Sequence, residues 1–321
     1  MTDPAPISAA APARPAGDSD ATPVAPAVRI AMFGTLAYAC GYNALTLTLF
    51  SGDTDMYFPW GTRPLTAATL GAAYAGALAM CLVALRATRW TSVRAVTAPI
   101  TLVLVLVAVA SVVERRSLRL TGGPVIAFVA SYLWLLTHAA LIVCVAAALW
   151  RQHRLCQRTT RHTSPAGPPA RRSPGWPPTD QLMRRGGLGP AALRMPVALR
   201  APLVACGLLA LTAGGALWLR PNHAGWWPWP LTPIDARVLG GWAIAYGLGV
   251  LRSVREADLW RTAPGLTMVA VTGALAVVAL IRYPHNVAWT GAGAYLGVLA
   301  VTGVAGALGL AAGGPWRSRN T

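Results

Sequence analysis

Eight stretches of this chain are apolar for long enough to cross a lipid bilayer, and that restricts the fold before anything else does. Hydrocarbon offers no hydrogen-bond partners, so a spanning segment must satisfy its own amides and carbonyls; a helix does so within itself. Twenty helical residues rise about 30 Å, the thickness of the hydrocarbon layer. The stretches are read at residues 30–50, 64–85, 95–113, 124–150, 202–219, 233–251, 264–281 and 289–312. Only 12% of the residues are charged and 55% are hydrophobic, whereas a soluble domain carries about a quarter charged. The fold class expected is all-α, a polytopic membrane helix bundle of about eight transmembrane helices.

The chain also matches itself. Shifted by 169 positions without a gap, residues 58–90 pair Pro59 with Pro228, Trp60 with Trp229, Pro64 with Pro233, Gly71 with Gly240 and Arg86 with Arg255. Alanine and leucine identities come cheaply in an apolar chain, but two prolines, a tryptophan and an arginine in register do not. The pattern indicates an internal duplication. In each copy the first proline stops any helix from running through, and the tryptophan suits a membrane–water interface. Thr232 then reads as an N-cap with Pro233 at the first helical position and Asp235 at the third, where its carboxylate meets the positive helix end. The first copy is degenerate, with Arg63 and Thr66 at the cap and third positions. Each copy is therefore an interfacial turn that launches a membrane helix.

Eight spans in two fours give both halves the same orientation, so the repeats are expected to be parallel. Residues 1–27 form a Pro/Ala-rich tail without apolar periodicity, expected to be disordered. The first membrane repeat covers 28–150, a basic Pro/Arg-rich linker 151–200, the second repeat 201–313 and a short tail 314–321. Residues 181–186 are read as a short interfacial helix. Every one of the 27 basic residues is arginine, and the net charge is +17. With both termini inside, 20 arginines fall on the inner side and 7 on the outer, the bias of a cytoplasmic-membrane protein with cytoplasmic termini. Its partner is then a bilayer with an anionic inner leaflet rather than nucleic acid. The cluster Arg115, Arg116 and Arg119 fits this topology worst, and a re-entrant pair formed by spans three and four would relieve it.

Small residues four apart, Gly293/Gly297 and Gly309/Gly313 on span eight and Ala243/Gly247 and Ala245/Gly249 on span six, suit close helix packing. Ionisable and polar groups at membrane depth are where chemistry is sought. His138 lies mid-span and reads either as a proton relay or as a neutral ring bonded to a neighbouring helix. Asn43 reads as interhelical glue. Asp235 and Arg237, at the outer start of span six, either cap and snorkel, bind an anionic headgroup or pair across the halves. The five cysteines show neither disulfide nor metal spacing, and no nucleotide, zinc or nucleophile motif occurs. No cofactor or metal is expected.

The run Pro228-Trp229-Pro230-Leu231-Thr232-Pro233, continued by Ala236-Arg237, Gly240 and Trp242, resembles a pattern of uncharacterised multi-pass membrane proteins of actinobacterial type. The first copy departs from it at Gly61, Arg63, Ala68 and Ala73. The resemblance implies location and topology, without an activity. The leading expectation is a non-enzymatic integral membrane protein. One alternative is a small-molecule or ion transporter with a polar cavity at the repeat interface, lined by Tyr42, Asn43 and His138. Another is a lipid-processing enzyme, which requires His223, Asp235 and Arg237 to converge.

Overall fold

Each apolar stretch becomes one helix. The computed structural model describes residues 22–163, 195–256 and 259–313, with no strand among them. Helix α1 runs Val28–Leu49, its first turns wound as a π-helix over Val28–Gly34. The others are α2 Pro64–Leu85, α3 Arg94–Val113, α4 Val125–Thr163, α5 Val197–Leu219, α6 Pro233–Glu256, α7 Leu259–Arg282 and α8 Gly293–Gly313. All eight, spans three and four included, contain an apolar window long enough to cross a membrane.

The starts reflect local chemistry. Pro64 and Pro233 open α2 and α6, where a missing N–H is harmless. Thr232 Oγ1 accepts from the Asp235 amide at 3.3 Å and donates to Asp235 Oδ2 at 2.7 Å, a reciprocal cap. Arg63 makes no such bond. Between α3 and α4, Gly123 turns at φ 102°, a left-handed conformation that glycine adopts without strain.

Several boundaries expected from the sequence move, mostly on the side where the chain begins. Helix α4 continues past 150 to Thr163, and α5 opens at Val197, before the expected start of the second repeat. Gln152, assigned to the linker, is only 1% exposed. Its Oε1 accepts from the Ala25 amide at 2.8 Å and its Nε2 donates to Pro23 O at 3.1 Å. Thr22 O and the Val24 amide bond Trp90 N–H and Thr88 O in turn. Residues 22–27, expected in a disordered tail, are thus held by a buried amide. Residues 1–21, 164–194 and 314–321, including the helix considered at 181–186, lie outside the described residues. Span eight begins at Gly293, because Trp289–Gly291 forms a separate 3₁₀ turn.

The packing exchanges helices between the halves. Helix α1 packs on α2 and α5 on α6, but α2 also packs on α7 and α3 on α6. The antiparallel α3–α6 pair is closed at both ends by ion pairs. At one end Arg94 grips Glu256 with two bonds of 3.0 and 2.8 Å; at the other Arg237 pairs with Glu114. The two pairs stand a full span apart, about 30 Å for a helix of this length.

All four odd-numbered connections, 50–63, 114–124, 220–232 and 283–292, meet on one face. There Arg119 pairs with Asp55 at 2.6 Å and Ser51 bonds Tyr283 at 2.6 Å. Two of the seven arginines that spoiled the charge bias, Arg119 and Arg237, are therefore neutralised locally. The helix boundaries keep a near-constant spacing: Val28 to Val197, Pro64 to Pro233 and Val113 to Arg282 are each 169 positions apart.

Close approach depends on particular glycines. A Cβ on Gly247 would stand 2.5 Å from Gly207 O, and one on Gly240 would stand 2.7 Å from Gly214 O, so α5 and α6 touch backbone to backbone. The Gly293/Gly297 pair, expected to pack, faces open space. Gly247→Ala is therefore expected to destabilise the protein by about 1–3 kcal/mol, while Gly297→Ala leaves thermal unfolding in detergent unchanged.

Candidate functional site

The two proline–tryptophan turns do more than launch helices. Trp60 donates its indole N–H to Asp235 Oδ1 at 2.9 Å, and Trp229 donates its own to Thr66 Oγ1 at 3.0 Å. Trp60 and Trp229 are 169 positions apart, and so are Thr66 and Asp235. Each turn thus pins the opposite half through the same bond, the arrangement of an isologous interface within one chain. The backbone repeats the relation. Arg119 N–H donates to Pro59 O at 3.0 Å and Ala288 N–H to Pro228 O at 2.6 Å, donors again 169 positions apart.

The rings themselves point into the bundle. Trp60 is 1% and Trp229 2% exposed, so both are interior. An indole buried with its N–H satisfied is stable away from the headgroups, and each turn dips inward between helices. Trp60 stacks edge-on against Phe58 and Trp134, with centroids 4.4 and 5.3 Å away. Trp229 meets Trp227 and Tyr295, both at 5.3 Å.

Asp235 is fully buried and acts both as cap and as cross-link between halves. Arg237, two residues on, turns to Glu114. His223 is exposed, and no hydrogen bond joins it to either among the described residues. The three residues of the lipid-processing alternative do not assemble.

Below the first turn lies a cavity of about 650 Å³ enclosed by α1, α2, α3, α4, α6 and α7, with Met195, Leu203 and Ala305 at its far end. Helix α4 packs against Val28–Gly34 of α1, and the rest of α1 leaves a mouth framed by exposed Tyr38, Tyr42, Val125 and Leu133. That mouth faces outward at the level of the spans. Tyr42, Asn43 and His138, expected on a polar cavity, do line this one, but most of its wall is apolar and no Asp, Glu or Arg lines it.

Both polar candidates bond differently from the expectation. Asn43 Nδ2 donates to Ala39 O on its own helix at 2.9 Å, not to a neighbouring helix. His138 Nδ1 lies 2.8 Å from Trp134 O, again on its own helix. Tyr57 closes the rim, donating to Thr46 O at 3.0 Å and Phe50 O at 2.8 Å. Burial, with Asp53, Tyr42 and Tyr283 adding to it, pushes the Tyr57 phenol up to about 12, so it remains a donor. Tyr38 and Thr46 escaped the sequence reading although Tyr38, Tyr42 and Thr46 recur every four residues, a helical stripe visible in the sequence. Trp134 was missed for the same reason, lying one turn before His138. Gln152 carried no such signal.

A smaller cavity of about 220 Å³ lies in the second half, between α5 and α8 and beside Trp227 and Pro228. Trp242 and Tyr246 stand in the wall common to both cavities.

Compared with protein-family models, curated proteins and solved structures, the chain matches none.

The two indole bonds differ in their acceptors, a carboxyl group and a hydroxyl. Trp60→Phe is expected to cost about 1.5–3 kcal/mol and Trp229→Phe about 0.5–1.5 kcal/mol. Thermal unfolding of the two variants, side by side in one detergent, checks the order.

Proposed function

We propose that this multi-pass protein sits in the cytoplasmic membrane as two parallel copies of a four-helix unit and holds an uncharged, largely hydrocarbon molecule taken laterally from the bilayer. The observation that carries the reading is the cavity of about 650 Å³, open between α1 and α4 and free of lining charges. Its volume is in the range of ligand pockets, about 300–1,000 Å³. An ion or charged solute would be desolvated there without compensation, which favours a binding role over ion transport.

The duplication is supported by the constant spacing of helix ends, the reciprocal indole bonds and the matching backbone bonds at Pro59 and Pro228. Such a repeat places the halves about an axis along the membrane normal. Cytoplasmic termini are supported by the arginine bias, with Arg119 and Arg237 paired on the outer face. The resemblance to actinobacterial membrane proteins agrees with this placement.

Two measurements test the reading. A tag inserted after the exposed Gly225 is expected outside the cytoplasm; cytoplasmic reporting would overturn the topology. A long-chain alkyl diazirine incorporated in vesicles with the full-length protein is expected to label peptides of α1 and α4 around residues 38–46 and 125–138. Labelling spread evenly over lipid-facing helices would overturn the cavity as a binding site.

A further inference from the structure

The two cavities occupy corresponding places in the two halves. Pro59, Val107, Val129 and Ala130 line the first, and the residues 169 positions on, Pro228, Ala276, Val298 and Leu299, line the second. The polar side chains do not follow. Where the first cavity has Tyr42, Asn43, Thr46 and His138, the corresponding positions hold Leu211, Thr212, Gly215 and Ala307, and none of these lines the second cavity. Thr212 spends its hydroxyl on the Leu208 and Leu209 carbonyls of its own helix. The second cavity has hydroxyls and indoles of its own, Thr69, Thr272, Tyr246 and Tyr295 among them, but no histidine or asparagine.

That equipment is specific in its hydrogen-bonding sense. The partner of His138 Nδ1 is a carbonyl, which can only accept, so Nδ1 carries the proton and Nε2 presents a lone pair. His138 is 8% exposed and lines the cavity; among the described residues nothing bonds Nε2. Asn43 uses Nδ2 on Ala39 O, and its Oδ1 likewise has no partner among them. Two acceptors therefore face an apolar space with no protein donor assigned to them. A molecule that offers only a carbonyl or an ether satisfies neither and meets only the donors of the same wall, the Trp242 indole N–H and the Tyr246 hydroxyl, which have no partner among the described residues. A hydroxyl can both donate and accept. An ammonium has no carboxylate here to offset its charge, and a phosphate has no arginine.

We infer that the first cavity selects a neutral bilayer lipid alcohol, whose hydroxyl donates to His138 Nε2 or Asn43 Oδ1 while its hydrocarbon fills the apolar wall. Trp134 is a positioning residue: its carbonyl fixes the tautomer of His138, and its own indole is held by Ser111 Oγ at 2.9 Å. This rests on the cavity reading above and goes further by naming the group recognised.

The experiment compares two diazirine probes of identical chain, a long-chain primary alcohol and its methyl ether, on the intact protein in neutral-lipid nanodiscs. The alcohol is expected to label α1 and α4 about tenfold more than the ether, the ratio one retained hydrogen bond yields. His138→Leu combined with Asn43→Leu is expected to bring the ratio to one without lowering ether labelling. His138→Gln, which keeps an acceptor, is expected to retain part of the preference, and Thr212→Leu to leave it intact. Equal labelling by both probes in the unaltered protein would overturn hydroxyl recognition and leave the cavity standing. Labelling by neither would overturn the cavity reading itself. The wild-type ratio decides even where the double variant fails to fold. Preference for the alcohol that survives His138→Leu and Asn43→Leu would show that ordered water or another group satisfies these acceptors, and would overturn the assignment.

Discussion

An indole N–H reaching across to the other half of the chain is the interaction on which this architecture depends. Between helices in lipid the hydrophobic effect supplies little, because the tails are as apolar as the side chains they replace. Cohesion must come from close packing and from hydrogen bonds with no alternative partner. The Trp60–Asp235 and Trp229–Thr66 bonds meet that requirement where the chain leaves one helix and enters the next. Each proline–tryptophan turn folds inward to reach its acceptor, and the inward fold buries the ring and fixes where α2 and α6 begin. The Arg94–Glu256 pair extends the same principle to the other face, and Arg237–Glu114 adds a second ion pair beside the turns.

The same bonds join positions related by the 169-residue register even where the residues differ. The position that is threonine in one copy is aspartate in the other, yet both accept the same indole. Divergence is tolerated there because either side chain is an acceptor of similar reach. In the cavities the divergence is larger. Apolar lining is retained at several corresponding positions, whereas asparagine and histidine line the first cavity only. Packing constrains the wall, but nothing in packing requires those polar groups, which makes them the part of the molecule least explained by stability.

Cavity and pins are adjacent by construction. Trp60 packs on Trp134, Trp134 lies one turn from His138, and their centroids are 5.3 and 4.3 Å apart. The aromatic chain runs from the buried carboxyl group at the junction of the halves to the histidine that faces the cavity.

Much of this was legible in the residues alone. Apolar length determined eight helices, because backbone groups in lipid leave no other solution; the paired prolines determined where α2 and α6 start; and the 169-residue register marked the two turns as equivalents. The tertiary structure alone decided what the polar side chains do. Asp235 and Arg237 sit two residues apart, yet one turns to Trp60 and the other to Glu114, partners more than a hundred positions away that no local pattern reveals. Asn43 and His138 looked like bonds between helices and instead bond their own, because a neighbour is missing where a cavity lies. Gln152 read as linker until Pro23 and Ala25 were found beside it. Periodicity and capping act within a few residues and are written along the chain; a hydrogen bond across the bundle exists only once two distant segments have been brought to within about 3 Å.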